Sequence, residues 1–205
     1  MNLIGNSCVS AFISKLCFKE EYHNPFCWCK IDFPSMYTLI SKYDSINFKS
    51  VEFEKTSNYY TAHIDGKISV QYIHYIDDPS MEAITYERSN VRGPNIIDYV
   101  SEKYFNRLEK MTTSPTFLLA AGYWQEYYVD DTQIQQLIEL NSPYPILVCM
   151  PASPKNQLTS SGNVKIHNHI FPMGIDGVHR KIADYVSNYY WGVKSSASDQ
   201  NMNLC

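Results

Sequence analysis

Segments with apolar residues at helical spacing alternate along the chain with segments that are apolar throughout or at every second position. After a short apolar stretch, Asn2–Gly5, residues Val9, Phe12, Ile13, Leu16 and Cys17 recur at i, i+3, i+4, i+7 and i+8, which predicts a helix with one buried face. Ile68–Tyr75 alternates as a strand does, with Ile68, Val70, Tyr72 and His74 on one side. Ile97, Val100, Tyr104, Leu108 and Met111 mark a second amphipathic helix. Thr116–Ala121 and Ile146–Met150 are continuous apolar runs, the pattern of strands covered on both faces. Between them Asp131 is placed to cap a helix carrying Ile134, Leu137 and Ile138. Val164–Ile170 reads as a last strand and Val178–Tyr190 as a last helix. This β–α succession predicts an α/β fold, a three-layer sandwich with a mostly parallel central sheet of the flavodoxin-like kind. Residues 193–205 are polar and aperiodic and read as a flexible tail, leaving residues 1–192 as a single α/β domain.

Composition narrows the classes of function. A length of 205 residues with 44% hydrophobic content suffices for one core. A net charge of −4 and a pI near 5.8 lack the basic footprint of a nucleic-acid-binding protein. No apolar run is long enough for a membrane span, and the first residues carry no basic, cleavable leader. A cytoplasmic protein is therefore expected, with its cysteines as free thiols. The tyrosines are numerous; packing is their expected use, ahead of lining a sugar cleft.

In parallel sheets, ligands bind beyond the carboxyl ends of the strands, which directs attention to Ile4-Gly5-Asn6-Ser7-Cys8. A strand ending in glycine, then small polar residues, then a helix presents a side chain at a helix N-terminus. The N–H groups there lower a thiol's pKa and can hold an oxyanion. Either Ser7 or Cys8 is a candidate nucleophile; the structural alternative makes Ser7 a cap and Cys8 a small buried residue. Two bases are available. His74 ends the alternating strand on its apolar side, before Asp77 and Asp78, where a core role competes. His179, with Asp176 three residues earlier, opens the last helix, where capping by Asp176 and a solvated His179 compete. His167 and His169 share one face of the last strand but lack a clear third ligand, and the group Cys17, His23, Cys27 and Cys29 lacks the paired spacing of a zinc site, so no metal is expected. Gly122 follows a strand-like run, yet no glycine-rich phosphate loop occurs, so no nucleotide or other cofactor is expected.

Ile4-Gly5-Asn6-Ser7-Cys8, Asn24-Pro25-Phe26-Cys27-Trp28 and Gln71-Tyr72-Ile73-His74-Tyr75 resemble the motifs of bacterial papain-like cysteine peptidases and of exopolysaccharide (capsule) biosynthesis proteins of unknown function. That pattern is G-x-N-C, then P-F-D-W, then F-x-H-D or L-H-Y, then a basic helix. The resemblance spans roughly the first 150 residues and implies Cys8 as nucleophile and His74 as base, with Arg88, Arg92 and Arg107 in the region of the family's arginines. Ser7 stands where the pattern has Asn. Cys27 stands where it has Asp, so Asp32 or Asp77 would have to orient the base. Ile4-Gly5-Asn6-Ser7, Pro145–Pro151 and Asp176-Gly-Val-His179 are also similar to blocks of SGNH (GDSL-type) hydrolases. That likeness implies an SGNH-like sheet with Ser7, His179 and Asp176 as the triad. Gly122-Tyr123-Trp124-Gln125 lacks the Asn and Asp of the family's middle block.

Both resemblances imply acyl transfer by a Cys–His or Ser–His–Asp hydrolase or acyltransferase, acting on a bacterial capsule or exopolysaccharide glycan or its precursor. Asn6, Trp28, Arg88, Arg92 and Gly122 are the expected substrate-binding residues, and a carbohydrate or acyl-donor small molecule the expected partner. The alternatives are a glycosyltransferase-like enzyme that uses Arg88, Arg92 and Arg107 on a sugar-nucleotide phosphate, and a non-catalytic glycan-binding or assembly protein.

Overall fold

A computed structural model describes residues 2–7, 9–18, 24–55, 60–72, 95–111, 114–120, 129–151, 159–169 and 180–190. In chain order the elements are β1 (Asn2–Gly5), α1 (Val9–Phe18), β2 (Lys30–Ile31), α2 (Phe33–Lys42) with a 3-10 turn after it (Tyr43–Ser45), β3 (Val51–Lys55), β4 (Tyr60–Ile64), β5 (Ile68–Tyr72), α3 (Asn95–Leu108), β6 (Pro115–Ala120), α4 (Asp131–Leu140), β7 (Ile146–Pro151) and β8 (Val164–His169). A last helix, α5, covers residues 180–190.

Four strands form a parallel sheet in the order β1-β6-β7-β8. Their continuous apolar composition has a direct cause, since both faces are covered. Leu3, Leu118, Ala120, Leu147 and Cys149 meet Val9 and Ile13 of α1 and Ile182, Ala183 and Val186 of α5. Ile4, Phe117, Leu119, Ile146, Val148 and Met150 point the other way, into a larger cluster with Val100 and Tyr104 of α3 and Ile134 and Leu137 of α4. The period of two along each strand assigns alternate residues to the two clusters. At roughly 25 cal/mol per Å2, a fully buried Leu or Ile contributes about 1.5–3 kcal/mol, so these paired faces hold the sheet.

The other four strands form an antiparallel sheet, β2-β5-β4-β3, which the β–α succession did not anticipate. Ile68–Tyr72 is a strand as expected, but it pairs antiparallel with β4 and β2 instead of joining the parallel sheet. Ile68, Val70 and Tyr72 face the core, as expected for one side of an alternating strand. The hairpin turns on Asp65 (φ 52°) and Gly66 (φ 61°), a D-G pair suited to positive φ. Met36, Leu39 and Ile40 of α2 join Ile64, Ile68 and Val70 in the larger cluster, so one core connects both sheets.

Two details differ from expectation. The cap of α4 is Asp130, whose side chain accepts from Gln133 N (2.8 Å) in a reciprocal capping box; Asp131 is the first helical residue. Leu16, expected on the buried face of α1, is 50% exposed, while Val9 and Ile13 are buried. Among the described residues no helix is long and apolar enough to cross a membrane.

Candidate functional site at the carboxyl end of the parallel sheet

The turn from β1 into α1 is built on close contacts. At Gly5 a Cβ would stand 2.3 Å from Ser10 Cβ and 2.6 Å from Ser10 Oγ, so only glycine lets the first turn of α1 approach the strand end. Asn6 ties three elements together. Its N–H donates to Leu118 O (3.2 Å), its carbonyl accepts from Ile31 N (3.0 Å), and its Oδ1 accepts from Ala120 N (3.1 Å). Ser7 is 2% exposed; its Oγ accepts from Val9 N (3.4 Å), and its carbonyl accepts from Ser10 N and Ser10 Oγ. The Ser7 hydroxyl therefore satisfies one of the orphan donors at the start of α1.

The helix that follows β1 lies on the Leu3 face of the sheet, and the helix that follows β6 lies on the opposite, Ile4 face. Connections leaving two adjacent strands in opposite directions open a crevice at their carboxyl ends, the usual ligand position in open parallel sheets. A cleft of about 250 Å3 occupies that place. Asn6 and Leu119 come from the strand ends, Lys30 and Ile31 from β2, Phe33, Pro34 and Met36 from α2, and Val129 and Gln133 from the start of α4. Its wall is largely apolar, with Ile31, Met36, Leu119 and Val129 all buried. Asp32, also at the cleft, accepts from Ser35 N (2.9 Å) and caps α2.

Comparison with family models, curated proteins and solved structures gave no match. The chemistry of the cleft therefore rests on its residues.

Of the sequence-predicted residues, Asn6 lines the cleft and Ser7 follows it at the start of α1. Cys8, His74, Asp77, Arg88, Arg92, Gly122, Asp176 and His179 lie outside the described residues. Trp28 is half-buried with φ 62°, a left-handed conformation unusual for a bulky side chain, at the end of the Pro25–Trp28 turn. That turn is pinned by Asn24, which accepts from Phe26 N (2.8 Å) and donates to Leu3 O (2.8 Å), and by Tyr72 Oη, which donates to Pro25 O (2.9 Å). Arg107 is buried and donates to Cys27 O (3.3 Å). The position where the resembled pattern carries Asp thus sits beside a guanidinium.

Among the described residues no three His, Cys, Asp or Glu side chains gather as a metal site would need, and His23 lies outside them. Cys17 Sγ donates to Ala183 O (3.1 Å), Cys29 Sγ to Phe26 O (2.9 Å), and the His167 ring stacks on Tyr185 with centroids 4.2 Å apart. Burial, with the Asp184 carboxylate and against a backbone hydrogen bond from Ser187, pushes the Cys17 thiol up to about 11. Burial pushes Cys149 up to about 12 and raises Cys27 as well, against the Arg107 charge. These thiols are poor nucleophiles at neutral pH. The cleft wall from β2, α2 and α4 escaped sequence reading, because its members are ordinary apolar residues brought together only by the two-sheet packing.

A Ser–His–carboxylate chain lies on the antiparallel sheet, where His63 Nδ1 meets Ser69 Oγ (3.2 Å) and Nε2 meets Glu54 Oε2 (3.2 Å). None of the three lines the cleft, and they come from neighbouring strands whose alternate residues face the core. Cross-strand pairing accounts for the contacts.

Proposed function

We propose that this chain is an acyl-transfer enzyme, an esterase or acyltransferase, acting on a bacterial capsule or exopolysaccharide glycan or its precursor, with Cys8 as nucleophile. The observation that carries the reading is the cleft at the β1–β6 switch point, walled by Asn6 two residues before Cys8. The buried Ser7 hydroxyl, engaged with Val9 N, favours Cys8 over Ser7 as the attacking residue. The doubly covered parallel sheet supports a three-layer arrangement of the flavodoxin-like or SGNH-like kind. In the reaction the base, His74 in this reading, takes the Cys8 thiol proton, and Sγ adds to the acyl carbonyl. The tetrahedral oxyanion then collapses with departure of the alcohol or thiol, which takes the proton. Water or a glycan hydroxyl adds to the thioester and releases Cys8. The glycosyltransferase alternative is less well supported, because the buried Arg107 is turned into the Pro25–Trp28 segment and does not line the cleft.

Hydrolysis of p-nitrophenyl butyrate tests the reading in the wild type, Cys8→Ala, Ser7→Ala and the double variant. Cys8→Ala should lose about a hundredfold or more in kcat/KM, with Ser7→Ala far milder. Undiminished turnover in the double variant would refute a nucleophile at this turn.

A further inference from the structure

The cleft carries information about its ligand beyond its position. Asn6 is 6% exposed, and its Oδ1 is committed to Ala120 N–H at 3.1 Å, which fixes the amide plane and the direction of Nδ2. Among the described residues none accepts a hydrogen bond from Nδ2, and the atom is not sealed from solvent. An amide donor open to a cleft, with its oxygen already spent, is satisfied by water or by a ligand acceptor that enters the cleft and displaces it. The remaining wall is apolar at Ile31, Met36, Leu119 and Val129. The opposite charges of Lys30 and Asp32 both border the cleft, so it presents no net charge to draw in an ion. A volume of about 250 Å3, at roughly 30 Å3 per water, equals about eight waters, or a short acyl group of similar heavy-atom count.

Resting on the acyl-transfer reading, the geometry points to the cleft as the acyl pocket: an uncharged, short-chain acyl group lies against Leu119, Met36 and Val129 with its carbonyl oxygen accepting from Asn6 Nδ2. In the transition state the same donor faces the oxygen on which negative charge develops, so Asn6 contributes more there than in the ground state. The pocket selects by charge as well as by length. A dicarboxylic half-ester would carry its free carboxylate against the apolar wall, which is unfavourable.

Hexanamide is a stable mimic that needs no turnover. Titrated into the full-length protein labelled with 15N-asparagine, it should shift the Asn6 side-chain NH2 resonance in a saturable way. Hexanoate, a carboxylate of equal length, should bind about tenfold more weakly or worse. Asn6→Asp keeps an oxygen for Ala120 N–H and loses the donor, so hexanamide affinity should fall about threefold to tenfold. Val129→Phe, which fills the pocket, should abolish hexanamide binding and leave acetamide binding in place. In wild-type turnover, p-nitrophenyl esters should peak in kcat/KM between about C4 and C6, and Val129→Phe should move the peak to shorter chains. The inference is overturned if hexanamide leaves the Asn6 NH2 signal unmoved, if hexanoate binds as well, or if both variants bind hexanamide like the wild type. Hexanamide binding without any ester turnover would instead retain the pocket and reject the acyl-transfer reading.

Discussion

Replacing Gly5 by alanine places a methyl group inside α1. The new Cβ would lie 2.3 Å from Ser10 Cβ and 2.6 Å from Ser10 Oγ, where ordinary contact begins at 3.4 Å. Rotating Ser10 relieves the Oγ contact but not the Cβ contact, so the backbone of α1 must retreat by about 1 Å, and overpacking of this kind costs about 3 kcal/mol. For a chain of this size the midpoint of thermal unfolding should fall by about 6–12 °C. Ser10→Gly alone should cost about 2 kcal/mol, from lower helix propensity and loss of the Ser10 Oγ bond to Ser7 O. In the double variant the obstructing atoms are gone, so its cost should be about 2 kcal/mol instead of the additive 5, a coupling of about 3 kcal/mol. Urea unfolding of the four proteins, with m-values compared, measures the cycle. Coupling within about 0.5 kcal/mol of zero would show that Gly5 and Ser10 are not pressed together and refute the tight turn on which the site depends.

Four further outcomes follow from the same contacts. Asn6→Ala leaves Ala120 N–H without its acceptor and should lower unfolding stability by about 1–3 kcal/mol by urea titration, whereas a loss under 0.5 would remove Asn6 as the link between β1 and β6. Cys149 is held protonated by burial, with its pKa raised from 9.0 to about 12, so the unfolded chain releases that proton first as pH rises. Its contribution is complete below pH 9 and is lost between about 9 and 12, on the order of 4 kcal/mol, and a Cys149→Ala variant should show a flatter decline in urea midpoint over that range. Cys17, raised to about 11, should react with iodoacetamide at pH 8 about a hundredfold more slowly than a free thiol; equal rates would contradict its burial against α5. Ser69→Ala breaks the His63 contact on the antiparallel sheet and should change ester turnover by less than about twofold, since this chain lies outside the cleft; a large loss would move the active site there.

The parallel sheet was legible because its strands are buried on both faces, which makes Thr116–Ala120 and Ile146–Met150 continuous apolar runs that little else explains. Helices α1, α3 and α4 were legible for the complementary reason, a single apolar stripe at helical spacing. The antiparallel sheet was not. Its strand β3, Val-Glu-Phe-Glu-Lys, has only two apolar positions and none of its residues is fully buried, and β2 is two residues long. Two local signals do mark this region: Asp65-Gly66 between alternating runs signals a hairpin, and Asp32 before Phe33-Pro34 signals the start of α2. The turn after Gly5 could be located as a candidate site, since a strand end followed by small residues and a helix is a local pattern. The cleft beside it was not, because Leu119, Val129 and Met36 become neighbours only when α2 and α4 pack over the strand ends. Asp130 rather than Asp131 caps α4 because Gln133 completes the reciprocal capping box with Asp130, a choice that spacing of apolar residues alone does not make.

The most direct test of the central claim is to trap the covalent intermediate. The protein would be mixed with p-nitrophenyl butyrate, quenched in acid within the first turnover, and digested for mass-spectrometric mapping of the butyryl group. The account predicts a single butyryl thioester on Cys8, removed by neutral hydroxylamine and absent from Cys8→Ala. Acylation confined to Ser69 or to surface lysines, with Cys8 unmodified and ester turnover intact, would contradict it.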